Sequence, residues 1–191
     1  MHVHISANER DPRRFITNPG GMYVLLDSLS HHPRTPQAVL DSGMLAYFSA
    51  ALETGNAEAT KAVLNTAHRI TLLKDDSDTD WAVAHSTYTG LAAVLATGNG
   101  NSSEFVHSAI GIILNTVKSG EAPHEKPVVR SINLAMDTGI LAVVVGTVLA
   151  GGFALERPAA TELLWWCAGE TQLQTDLPCT PFLFCAHNGI H

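Results

Sequence analysis

The sequence predicts an all-α fold built by stacking a repeated helical unit of about 48 residues. Three observations point there. Asp41-Ser42-Gly43, Tyr88-Thr89-Gly90 and Asp137-Thr138-Gly139 share one context, and their glycines lie 47 and 49 residues apart. Each is followed at once by an apolar run (Met44-Leu45-Ala46, Leu91-Ala92-Ala93, Ile140-Leu141-Ala142). Each run then meets a second glycine-bearing loop at Gly55-Asn56, Gly98-Asn99-Gly100 or Gly151-Gly152. Finally, charged residues make up only 15% of this 191-residue, 46% apolar chain. Such a surface is weakly solvated and suits packing against neighbours. No single unit can bury its apolar face alone, and stacking cures that.

Taken in order, residues 1–15 read as a polar lead-in without the apolar run of a secretory signal. Met22, Leu25, Leu26 and Leu29 follow helical spacing, and His31-His32-Pro33 stops that helix. Thr35-Pro36 opens a short helix that Asp41-Ser42-Gly43 breaks. Met44 to Leu52 forms the next helix, ended by Gly55-Asn56. Ala57 to Leu73 is a long helix with Ala59, Val63, Ala67 and Ile70 on one stripe. The acidic run Asp75, Asp76, Asp78 and Asp80 suits a helix N-terminus, where carboxylates meet the positive end of the macrodipole. Trp81 begins a helix that Thr89-Gly90 is expected to break, and Leu91 to Ala96 continues it. After the Gly98–Ser103 loop, Glu104 to Lys118 is again amphipathic. Ser119 to Pro127 is a polar linker, and Val128 to Met136 leads into the last unit.

That last unit, Asp137 to Glu170, reads as two helices joined by Gly151-Gly152, with Pro158 suited to a first helical turn. Its apolar stretch, Ile140 to Leu155, is 16 residues long and carries no charge. A membrane span needs about 20 such residues, and Gly146, Gly151 and Gly152 weaken a free helix. A buried core helix is therefore expected. Residues 171–191 are proline-broken and read as an irregular C-terminal tail.

The segments LDSGMLAYFSAALETGNAEATKAVLNTAHRI and AMDTGILAVVVGTVLAGGFALERPAATELLWWCAGE resemble the armadillo repeat family: a short first helix, a glycine turn, a second helix and a long third helix. The resemblance covers Thr35 to Glu170 within a helical domain of 16–170, with units at about 35–73, 81–118 and 128–170. It implies a right-handed α-solenoid of about three armadillo-like three-helix repeats. Its third helices would line a concave groove for an extended peptide or another protein partner. Leu64, Leu114 and Leu164 align the units. In the import-receptor members a tryptophan and an asparagine one turn apart clamp the ligand. The tryptophan position falls on Asn65, Asn115 and Trp165, and the asparagine position on Arg69, Ser119 and Gly169. Only Trp165 matches, so the chain departs from that clamp. The six positions remain the expected partner-binding residues.

Residues that carry chemistry elsewhere are sparse. Cys179, Cys185, His187 and His191 offer two thiolates and two imidazoles in the tail, but in C-x5-C-x-H-x3-H spacing rather than that of structural zinc sites. They are weak metal candidates, as is the His2-x-His4 pair. Asp76, Asp78 and Asp80 imitate half an EF-hand loop, yet Trp81 stands where glycine is required and Thr87 where glutamate is required. No phosphate-loop or nucleophile-elbow pattern occurs. His68, His85 and His107 are read as helix-surface or groove residues, and Cys167 as a buried thiol. Trp165 and Trp166 point about 100° apart on a helix, so one can pack inward while the other faces a partner.

The three cysteines suit a reducing compartment rather than a disulfide framework. The net charge of -7, with no basic run, argues against nucleic acid. The expectation is a non-catalytic, cofactor-free binding scaffold, cytoplasmic and part of a larger assembly. The alternatives are a metal-binding helical protein or enzyme using the tail Cys/His cluster, and a membrane-associated helical subunit.

Overall fold

The computed structural model describes residues 35–73, 77–97, 103–119 and 126–174. Among them are eight α-helices: α1 (Thr35–Ser42), α2 (Phe48–Glu53), α3 (Ala57–Leu73), α4 (Ser77–Thr97), α5 (Ser103–Val117), α6 (Val129–Asp137), α7 (Ile140–Val144) and α8 (Arg157–Gln174). A 3-10 turn, Met44–Tyr47, leads into α2, and a turn of π-helix, Val145–Leu149, extends α7. The expected lead-in, the helix over 22–29, Asp75 and Asp76, the Gly98-Asn99-Gly100 loop and the C-terminal tail lie outside the described residues.

Local chemistry sets the helix ends. At Gly43 and Gly139 the backbone is left-handed, φ 71° at both, a conformation that glycine adopts without a Cβ penalty. These are the first and third of the repeated glycines, and each turns the chain from a short helix into an apolar run as expected. The Asn56 side chain accepts from the Ala59 amide at 3.1 Å, capping α3 three residues in. Thr54 returns its hydroxyl to the Ala51 carbonyl at 2.7 Å, closing α2.

The middle glycine behaves differently, which corrects the expected break. α4 runs unbroken through Thr89-Gly90 from Ser77 to Thr97. Gly90 is buried against α2: a Cβ there would stand 2.7 Å from the Leu52 Cβ, 2.8 Å from the Ser49 carbonyl oxygen and 2.9 Å from the Ser49 Cα. A side chain is missing at this position because another helix occupies the space. The second unit therefore has one long helix where the first and third have two. The linker expectation is also refined. Lys118–Ser119 (β1) pairs antiparallel with Lys126–Pro127 (β2), which pins both ends of the connection.

The helices contact one another in two rows. The long helix of each unit packs on that of the next, α3 on α5 and α5 on α8. In the other row α2 packs on α4, and α4 on α6 and α7. α5 touches both rows and is the most apolar element. Val106, Ala109, Ile110, Ile112, Ile113, Leu114 and Val117 are all buried, each large aliphatic contributing roughly 1.5–3 kcal/mol. The apolar stretch after Gly139 is a core element with one buried stripe, Ile140, Val144 and Val148, and exposed Ala142, Val145 and Gly146 on the other side. Among the described residues no single helix is long and apolar enough to cross a membrane. α6 and the Ile140–Leu149 segment reach that length and composition only together, and they are bent by 72°.

Buried polar groups tie the rows. The Tyr88 hydroxyl lies 2.7 Å from Thr116 Oγ1, which is itself 2.9 Å from the Ile112 and Ile113 carbonyls. Carbonyls only accept, so Thr116 spends its proton on them and Tyr88 is the donor of the α4–α5 bond. Thr147 reaches across to the Leu95 carbonyl at 3.2 Å. Glu156 is buried at the start of α8 and accepts from Ser103 Oγ at 2.6 Å, at the start of α5. One carboxylate thus sits beside two helix N-termini, the end of a helix dipole that favours negative charge.

Candidate functional site

The outward stripe of the long-helix row follows from helical periodicity. On α3, Lys61, Asn65, His68, Arg69 and Leu72 recur at three- and four-residue steps and none is buried, while Ala59, Val63, Ala67 and Ile70 face the core. On α5 the same stripe is Glu104, His107, Ser108, Gly111 and Asn115. On α8 it is Thr161, Glu162, Trp165, Ala168 and Gly169. Of the six expected partner-binding residues, Asn65, Arg69, Asn115, Trp165 and Gly169 lie on this stripe. Ser119 does not: it falls in β1, beyond the last turn of α5.

Their environments differ. Trp165 is 67% exposed, whereas Trp166 is half-buried against the core. The two indole rings meet edge to face, with centroids 5.2 Å apart and planes at 79°. Trp166 therefore braces an aromatic surface that Trp165 presents outward. Gly169, one turn on, has nothing within 4 Å of a Cβ position, so the space beside Trp165 is open. Asn115 is engaged internally: its amide nitrogen donates to Thr71 Oγ1 at 3.2 Å across the α3–α5 seam. Lys118, just past α5, bridges to Glu162 on α8 at 3.0 Å. The stripe is thus stitched helix to helix by side chains.

A histidine pair was individually visible in the sequence, but its pairing was not. The His68 ring lies over Gly111, where a Cβ would stand 3.0 Å from Nε2. Burial first, and then the nearby His107, hold the His68 imidazole below its usual 6.5. The neutral ring is thus favoured in the fold. The unfolded chain binds more protons below pH 6.5, so this contribution to stability is present above 6.5 and is lost as pH falls through the lowered folded value. Urea midpoints in chelator-containing buffer between pH 7.5 and 5 should fall for the native chain, and less steeply for His68→Gln. Equal slopes would remove His68 from the account.

The remaining candidates separate cleanly. Asp78 and Asp80 lie in the first turns of α4 rather than in a calcium loop: Asp78 pairs with Arg130, and Asp80 is buried. Arg130 also lies 5.7 Å from the Trp81 ring centroid, and Trp81 is 5.5 Å from His85, so this cluster joins α4 to α6. Cys167 is buried, and burial pushes its thiol up to about 11, which keeps it protonated and unreactive near neutral pH. Among the described residues no three His, Cys, Asp or Glu side chains come together as a metal site. Cys179, Cys185, His187 and His191 lie outside them. Comparison with protein-family models, curated proteins and solved structures finds no match to the chain.

Proposed function

We propose that this chain is a non-catalytic, intracellular protein-binding scaffold of armadillo-like solenoid design, working as a subunit of a larger assembly. The partner, a protein or an extended peptide, lies along the outward stripe of α3, α5 and α8. The observation that carries the reading is Trp165: a large aromatic two-thirds exposed, braced by Trp166 and flanked by the open Gly169. Exposed tryptophans are costly to leave in water and dominate binding energy where partners cover them. Arg69 offers charged contact at the other end of the stripe. Asn65 lies beside it, whereas Asn115 and Lys118 contribute by holding the helices in register.

The test is quantitative affinity capture from a cell extract with the native chain, Trp165→Ala and Arg69→Glu, each first checked for equal helicity and melting temperature. A shared set of proteins retained by the native chain should fall at least about tenfold with Trp165→Ala, the loss expected of an interface anchor worth about 2 kcal/mol. Undiminished capture by both variants would place binding elsewhere on the molecule.

A further inference from the structure

We propose that His68 and His107 form a two-imidazole site for a divalent transition metal of the zinc, nickel or copper class, clamping α3 to α5. The placement comes from the packing of the two helices. The His68 ring lies directly over Gly111 on α5, close enough that a Cβ there would stand 3.0 Å from Nε2. Gly111 is one turn from His107 on the same outward stripe, so both imidazoles occupy one stretch of the α3–α5 seam. One turn further on, the Asn115–Thr71 bond at 3.2 Å fixes the register of the two helices. The pair is therefore held in place before any ion arrives.

The chemistry of the pair suits this class of metal. The ligating form of histidine is the neutral ring, and both causes acting on His68 favour that form. Nitrogen donors select zinc, nickel and copper over magnesium and calcium, which want oxygen. His107 is exposed, so an ion and the waters that complete its coordination reach the site from solvent. With two protein ligands the ion is exchangeable, unlike one in a closed four-ligand site. Its effect would be to crosslink the first two units of the long-helix row. This assignment stands on the histidine geometry and does not depend on the identity of any protein partner.

The full-length chain and its His107→Gln variant are titrated with nickel(II) by calorimetry, and both are melted with and without the metal. His107 is exposed, so the metal-free melts should coincide. The native chain should bind one more equivalent than the variant and gain melting temperature that the variant does not. The same comparison is repeated in a full-length background with His2, His4, Cys179, Cys185, His187 and His191 replaced, which removes competing terminal ligands. There, one equivalent should remain, and either His107→Gln or His68→Gln should abolish it. Equal stoichiometry in the native chain and His107→Gln would overturn the site, as would equal stabilisation by magnesium, since oxygen-seeking ions have no ligand here.

Discussion

Gly90→Ala is expected to destabilise the fold by about 2 kcal/mol, even though alanine is the better helix former by about 1 kcal/mol. The reason is geometric. A methyl group at Gly90 would meet Leu52 and two backbone atoms of Ser49, all within 2.9 Å. Backbone cannot rotate out of the way, so α2 must shift from α4, the contact that anchors the second row. Overpacking of this kind costs roughly 3 kcal/mol, which outweighs the propensity gain. Gly146→Ala is the matched control. It is exposed and has nothing within 4 Å of its Cβ position, so the same change there should be neutral or stabilising by up to about 1 kcal/mol. Urea denaturation of both variants reads the difference. If Gly90→Ala matches Gly146→Ala, the close approach of α2 to α4 is wrong.

Tyr88→Ala should cost about 3–5 kcal/mol, the largest effect expected of any single site here. Tyr88 is among the largest fully buried side chains and spans the two rows through Thr116. Tyr88→Phe isolates the hydroxyl. Thr116 keeps its own proton on the Ile112 or Ile113 carbonyl, so no donor is stranded, and the loss should be only about 1 kcal/mol. Burial also raises the Tyr88 hydroxyl far above its usual range, so it should resist alkaline ionisation until the fold opens. Ultraviolet difference titration of the native chain and Tyr88→Phe would read this. A tyrosine titrating normally at that position would contradict the burial.

The sequence was informative where a local rule and the tertiary structure agree. Gly43 and Gly139 end short helices because a left-handed residue does so locally, and Val63, Ala67 and Ile70 share a face because the period is helical. Gly90 was misread because a glycine in the same Asp/Tyr-Ser/Thr-Gly context serves a different purpose: its cause is Leu52, 38 residues away. The outward stripe was legible for Asn65, Arg69 and Trp165, since periodicity alone separates it from the core. What Asn115 does on that stripe was not, because its partner Thr71 is a long-range neighbour. The His68–Gly111 approach and the Ser103–Glu156 bond were hidden for the same reason. A glycine inside the strongly helical run of α5 was the one visible hint of close approach.

The central claim is that partners are held on the long-helix row. The most direct measurement is site-specific photocrosslinking, with a benzophenone amino acid placed in turn at position 165, position 69 and, in the opposite row, position 142. Crosslinked species from a cell extract would be identified by mass spectrometry. The account predicts that the same partner is trapped from positions 165 and 69 and not from the exposed Ala142 site. A partner trapped from position 142 alone would contradict it and move binding to the row formed by α2, α4, α6 and α7.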